Sequence, residues 1–293
     1  EKRGIKMEMY LLTLSEKMQE KVHKIIASSS DERRMNFSNN GDYSGSRSPA
    51  QQLAFLNVIF GEKVVANLNS QNLTNRAKSF ARVCELLQSI PEAQKQYDAY
   101  DCLIPFVKQM FHSDNAILFV TAVDSTSSMI EELSNNKAFK SIGDFPYDFV
   151  RELVEICMTK LAVGDKSINE AAAAFCKWAV LRDDSYLDSL LEFIFNQDSK
   201  RSTSNIYKNK LDLMNAILMK YESIITDRIS IDSMMQLVLE HFESANQETK
   251  EKALELYATC YNYYGEQMDK FVRTRPKKVQ KQIVQAVTSS ESY

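Results

Sequence analysis

Between Ser48 and Ser89 the apolar residues fall into two helix-spaced stripes separated by a short polar break, and this plan returns about four more times along the chain. Leu53, Leu56, Phe60, Val64 and Leu68 recur at three- and four-residue steps, the spacing of one helix face. Ser70-Gln71-Asn72 stops that stripe, and a second runs through Ala77, Phe80, Ala81, Cys84 and Leu87. Ser48 is placed to cap the first helix, and Pro49 fits its first turn, where a missing N–H costs nothing. The expectation is one helix to Leu68, a tight turn, and a second helix. Two amphipathic helices bury each other only in part, so such a pair needs neighbours, and a chain that repeats the pair supplies them.

The later pairs read the same way. In the second, Leu103, Phe106, Val107 and Met110 lead to the turn His112-Ser113-Asp114-Asn115, and Phe119, Val120, Val123, Met129, Ile130 and Leu133 return. SNNKAFKSIGDFPYD then reads as a polar loop. The third pair carries Phe149, Leu153, Val154, Cys157 and Leu161, turns at Val163-Gly164-Asp165-Lys166, and continues into an alanine-rich helix that allows close approach, with Trp178 as a core residue. The fourth runs from Tyr186, Leu187, Leu190, Leu191 and Ile194 through a basic turn, NQDSKRSTSN, to Leu211, Met214, Ile217, Leu218 and Tyr221. The fifth holds Ile231, Met234, Val238 and Phe242, turns at Ser244–Gln247, and buries Ala253, Leu256, Tyr257, Cys260 and Tyr264 before Gly265 closes it. One or two final helices, EQMDKFVRTRPKKVQKQIVQAV, would cover the end. Only 7 residues are Gly and 5 are Pro, too few turn formers for a sandwich or barrel of many short strands. The fold class is therefore all-α. A period of roughly 40 residues makes it an α-solenoid of about five to six HEAT-like helix pairs.

An extra N-terminal helix precedes this array. Met7, Leu11, Leu14, Met18, Val22 and Ile25 step by four and three, as in a coiled-coil seam, with Lys17, Lys21 and Lys24 alternating with Glu16 and Glu20. Three heptads do not decide between packing on the domain's own end and self-association through residues 5–27. SSSDERRMNFSNNGDYSGSR reads as a flexible linker. The domain plan is thus 1–27 helix, 28–47 linker and 48–293 repeat array. The Ser48-Pro49 step is either a phosphorylation site or a plain helix cap. The opening residue is not Met, as expected of an excised piece, and EKRGIK shows no signal-peptide pattern.

Charge and motifs narrow the function. Net charge is -3, which disfavours bulk binding of a polyanion. No apolar run approaches the ~20 residues of a membrane span. Cys84, Cys102, Cys157, Cys176 and Cys260 are odd in number, lie far apart on apolar faces and form no CxxC pair, which predicts buried free thiols in a reduced, intracellular setting. His23, His112 and His241 have no neighbours at metal-ligand spacing, and there is no Gly-rich phosphate loop. The expectation is a non-enzyme with no cofactor.

The turns resemble those of the TOG domain, a tubulin-binding HEAT array found in microtubule polymerases, CLASP proteins, crescerins and a centrosomal ciliary-tip protein. FGEKVVANLNSQNLTNRAKSFARVCELL is similar to the family's opening repeat, with Leu73 where the family has Trp and Arg76 after it. VGDKSINEAAAAF is similar to its Gly-Asp-Lys turn, and SANQETKEKALELYATCYNYYGEQMDKFV to its last repeat, followed by Pro276-Lys277. The resemblance covers about Ser48 to Val287, and one module behind a heptad helix looks most like the ciliary-tip family. It implies tubulin or microtubules as partner, binding along the intra-repeat turns, and a place in the cytoplasm and cytoskeleton, down to the cilium tip, basal body or centrosome. The acidic tubulin surface that the resemblance implies would be met by turn cations through steering and charge-assisted hydrogen bonds. The candidates are Leu73 as apolar anchor, Asn115 as a hydrogen-bonding group, and Arg76, Lys166, Lys200, Arg201, Lys208 and Lys250. Asp114, Asp165 and Asp198 interrupt the row, or serve as helix caps. Two other readings stay open. One is a HEAT scaffold for a non-tubulin partner. The other is a nucleic-acid-binding helical repeat, opposed by a pI near 5.8.

Overall fold

The computed structural model describes residues 48–142, 147–196, 204–222, 225 and 228–290. The amphipathic segment 5–27, the linker 28–47, Asp198, Lys200 and Arg201 lie outside them. Among the described residues the regular structure is helical throughout. The chain divides into two compact units, Glu1–Met110 with Ser128–Phe145, and Phe111–Ser127 with Pro146–Tyr293.

The first unit opens with α1 (Pro49–Phe60) and α2 (Glu62–Leu68), followed by α3 (Leu73–Gln88) and most of α4 (Ala93–Phe111). Ser48 caps α1 reciprocally: Gln51 N–H donates to its Oγ, while its own N–H donates to Gln51 Oε1 at 2.8 Å. The single helix expected to Leu68 is broken at Gly61, whose φ of 88° only glycine adopts without strain. The break also shifts the apolar stripe. Leu56, Phe60 and Leu68 are buried as expected, in the core with Phe80, Val83 and Leu87 of α3, but Val65 takes the buried place expected of Val64, and Leu53 is only half-buried.

The polar stretch after α5 (Ala116–Asn135) is not all loop either. Asn136 caps a short α6 (Lys137–Lys140) by accepting from Ala138 and Phe139 N–H. Phe139 is fully buried, 5.6 Å from the Tyr97 ring and edge-on to Tyr100 at 5.9 Å. Buried Gln96 secures the site, donating to Leu87 O and accepting from Asn136 Nδ2 at 3.0 Å.

The second unit takes the early part of α5, then α7 (Tyr147–Lys160), α8 (Lys166–Val180), a 3-10 turn, α9 (Leu187–Phe195), α10 (Ser204–Lys220), α11 (Ile231–Leu239) and α12 (Gln247–Tyr264). A second 3-10 turn leads to α13 (Asp269–Val272) and α14 (Lys277–Ser290). Gly265 ends α12 at φ +57°, its N–H still bonded to Tyr261 O. Phe111, Phe119 and Phe175 form an edge-to-face cluster, with centroids at 5.8 and 5.1 Å. Trp178 leans on Phe175 at 5.3 Å, and Arg182 lies over its ring. Helix α10 packs on both α8 and α12, and α14 packs on α12.

The 40-residue period is written into the polar contacts. Asn209 Nδ2 donates to Asn169 Oδ1 at 2.6 Å, Arg228 to Asp188 at 2.5 Å, and Asn136 to Gln96, each across 40 residues. Tyr221 Oη donates to Val180 O across 41. Successive helices therefore stack in register, as HEAT-like repeats do.

All five cysteines are buried, and none is in a disulfide. Burial pushes the Cys260 thiol up to about 12.

Candidate functional site

In the first unit the intra-pair turn is built by Asn72. Its Oδ1 accepts from Asn75 N–H at 3.0 Å, and its own N–H donates to Ser70 Oγ. Leu73 opens α3 and is 39% exposed, one of the few large apolar side chains so placed. Arg76 follows within the first turn, half-buried, with no carboxylate in ion-pairing reach among the described residues.

In the second unit the turn His112–Asn115 is pinned from α7. Lys160, only 8% exposed, donates to His112 O, to Ser113 O and to Asp114 Oδ1 at 2.5 Å. That hydrogen bond and the ammonium charge hold the Asp114 carboxyl below the usual carboxylate range. Asp114 is thus an ion-pair partner and not a cap. The cap of α5 is Asn115, whose Oδ1 accepts from Leu118 N–H. Asp165 does cap its helix, accepting from Ser167 and Ile168 N–H at 2.9 and 3.1 Å.

Where α8, α10 and α12 begin, a polar cleft of about 200 Å³ is lined by Lys166, Asn169, Glu170, Lys208, Asn246, Gln247 and Glu248. Lys208 Nζ lies 2.9 Å from Glu248 and 3.7 Å from Glu170. Lys166 Nζ lies 3.7 Å from each of the same two carboxylates. The Lys208 hydrogen bond, with the charges of Lys208 and Lys166, lowers the Glu248 carboxyl from its ordinary value. Glu248 also sits in the first turn of α12, where the helix dipole favours an anion. Lys250 shares that turn, half-buried, and makes no ion pair among the described residues. Beneath the cleft, Asn169 donates to Leu161 O and accepts from Asn209, so the cleft floor is fixed by buried amides.

Of the residues singled out by sequence, Lys166 and Lys208 are brought together and Lys250 stands nearby in sequence on α12. Leu73 and Arg76 belong to the first unit. Lys160, Glu170 and Glu248 were missed. Glu170 carried a signal, four residues after Lys166 on a helix. Lys160 and Glu248 act across repeats and carried none. The cleft offers two ammonium and two carboxylate groups in alternation, a locally neutral pattern. Among the described residues no cluster of three or more metal-ligating side chains occurs, and no helix is long and apolar enough to cross a membrane.

No protein-family model and no curated protein sequence matches the chain. Solved structures do. Drosophila melanogaster Mini spindles TOG3 matches at TM-score 0.53 and 15% identity, over 78% of this chain and 92% of that one. The TOG domain of C. elegans Zyg9 matches at TM-score 0.54 and 11% identity, over 89% and 94%. A structure described as "TOG-tubulin binding specificity promotes microtubule dynamics and mitotic spindle formation" also matches at 0.54 and 11%, over 88% and 94%. The chain has the TOG-domain fold. It is an all-α, HEAT-like solenoid, and at such identities the likeness is one of fold. In this TOG fold Arg76, Lys166, Lys208 and Lys250 each lie within the first five residues of the returning helix of a pair.

Proposed function

We propose that this TOG fold binds tubulin along its intra-repeat turns and regulates microtubule ends without chemistry of its own. The observation that carries the reading is the recurrence of a cation at the start of α3, α8, α10 and α12 in a fold whose solved examples include one described by its tubulin-binding specificity. Leu73 supplies the apolar contact, Arg76, Lys166, Lys208 and Lys250 the charges, and Asn115 a hydrogen bond; Lys200 and Arg201 extend the set. The setting is the cytoskeleton. A ciliary-tip, basal-body or centrosomal place rests on the resemblance of a TOG module behind a heptad segment, with residues 5–27 as a self-association element.

The test is gel filtration of the chain with purified tubulin at low and moderate salt. Co-elution that weakens with salt is expected, and Lys166→Glu with Lys250→Glu should weaken it further while helicity is kept. Absence of a complex at micromolar tubulin, or a double variant that binds like the parent, overturns the reading.

A second reading, a HEAT scaffold for a non-tubulin protein, is favoured by the neutralisation of Lys166 and Lys208 by Glu170 and Glu248. Leu73→Trp separates the two: it should tighten tubulin binding under the first and leave it unchanged under the second.

A further inference from the structure

The turn edge does not use the most cationic stretch of the chain. Residues 270–281 hold Lys270, Arg273, Arg275, Lys277, Lys278 and Lys281 and no carboxylate, although the whole sequence has 36 basic against 39 acidic residues. They span α13, the turn after it, and the first turns of α14. Lys270 faces Asp232 at 3.8 Å. Among the described residues Arg273, Arg275, Lys277, Lys278 and Lys281 have no carboxylate in ion-pairing reach. Arg273, Lys277, Lys278 and Lys281 are exposed, and the Arg275 Nε is buried without a hydrogen-bond partner.

The platform is rigid. Gln280 Nε2 donates back to Arg275 O at 2.7 Å and to Arg273 O at 3.3 Å, which fixes the turn that carries both arginines. Val279 and Ile283 are buried, and α14 packs on α12, so the cationic side of the helix is held toward solvent.

We propose that this surface docks an extended acidic peptide, a run of Glu or Asp in a partner protein, independently of the turn edge. With a helix rise of about 1.5 Å per residue, Lys277 to Lys281 advance about 6 Å along α14, and the turn residues Arg273 and Arg275 extend the row, a length suited to a short extended run of a few acidic residues. A long nucleic acid fits less well. Outside this stretch the chain is net acidic, so a polyanion that runs past the patch comes within a Debye length, about 8 Å, of acidic surface and is repelled there. The one aromatic ring in the stretch, Phe271, already carries Lys270 over its face at 4.5 Å, so no stacking platform is free there. A membrane surface is disfavoured because an interfacial helix must insert its apolar face, and α14 has buried Val279 and Ile283 within the protein.

The test is fluorescence anisotropy of a labelled oligoglutamate peptide with the full chain. Saturable binding is expected at low salt, weakening about ten-fold at moderate salt. A variant combining Arg273→Gln, Lys277→Gln, Lys278→Gln and Lys281→Gln should bind at least about ten-fold more weakly with unchanged helicity and melting temperature. Lys166→Glu with Lys250→Glu should leave peptide binding as it is. No peptide binding at low salt, or an unaffected four-site variant, overturns the proposal. So does tighter binding of oligouridylate or of phosphatidylserine vesicles than of the peptide.

Discussion

Lys208 and Lys281 are both ammonium groups on helices of the second unit, yet their electrostatic company is opposite. Lys208 shares Glu248 and Glu170 with Lys166. Lys281 and its neighbours on α14 face water with no carboxylate partner among the described residues. The same residue type is thus neutralised in one place and unspent charge in the other. Neutralisation follows repeat register: acids and bases meet where α8, α10 and α12 begin side by side, and again where Lys177 and Lys252 flank Asp212 deeper along those helices. A count of basic residues cannot tell these situations apart.

Four experiments break or sharpen that contrast. The packed interior sets the upper bound. Phe80→Ala and Leu256→Ala empty fully buried sites and should each cost about 2–5 kcal/mol in urea unfolding; losses as small as those of surface lysines would mean that the packing is not what holds the repeats.

Next comes an enclosed, paired cation. Lys160→Ala strips the turn 112–114 of its hydrogen bonds and should cost about 1–3 kcal/mol. Hydrogen exchange should quicken at Ser113–Asn115 in that variant.

Acid titration comes third. Burial raises the Asp212 carboxyl, but the Lys252 hydrogen bond and the charges of Lys177 and Lys252 outweigh it, so its folded value lies below the ordinary 3.8. A carboxyl depressed by folding stabilises above its unfolded pKa, and that contribution disappears as pH falls through the folded value. The urea midpoint should therefore drop below about pH 4, and Asp212→Asn should flatten that drop.

The smallest change in stability belongs to the exposed cleft. Glu170→Gln with Glu248→Gln should leave the urea midpoint nearly where it is. It frees Lys166 and Lys208, so stopped-flow association with an acidic partner should speed up. An unchanged rate would show that the cleft lysines do not face the partner.

The helix pairs were legible because their apolar stripes keep helical spacing over long stretches, as in α5 and α12. Asp165 was legible as a cap because it stands just before an apolar-periodic run. Gly61 was not read as a break, because Val64, four residues after Phe60, continues the helical spacing in sequence, whereas the structure buries Val65 in its place. The segment around Phe139 reads polar by composition, and its burial depends on Tyr97 and Tyr100, which are distant in sequence. The site was legible only by residue type. Sequence offers Lys166 and Lys208 as cations, while their neutralisation depends on Glu248 arriving from another repeat.

The sealed thiols give this array its own gauge of motion. Cys84, Cys102, Cys157, Cys176 and Cys260 sit in α3, α4, α7, α8 and α12, each closed to solvent. A thiol reagent reaches a given sulfur only when the helix around it opens. Labelling rates in native buffer, resolved by peptide mass, therefore convert into opening free energies at five points along the chain. Partner binding at the turns should slow the clocks in α8 and α12, and a ligand on α14 should slow Cys260 alone.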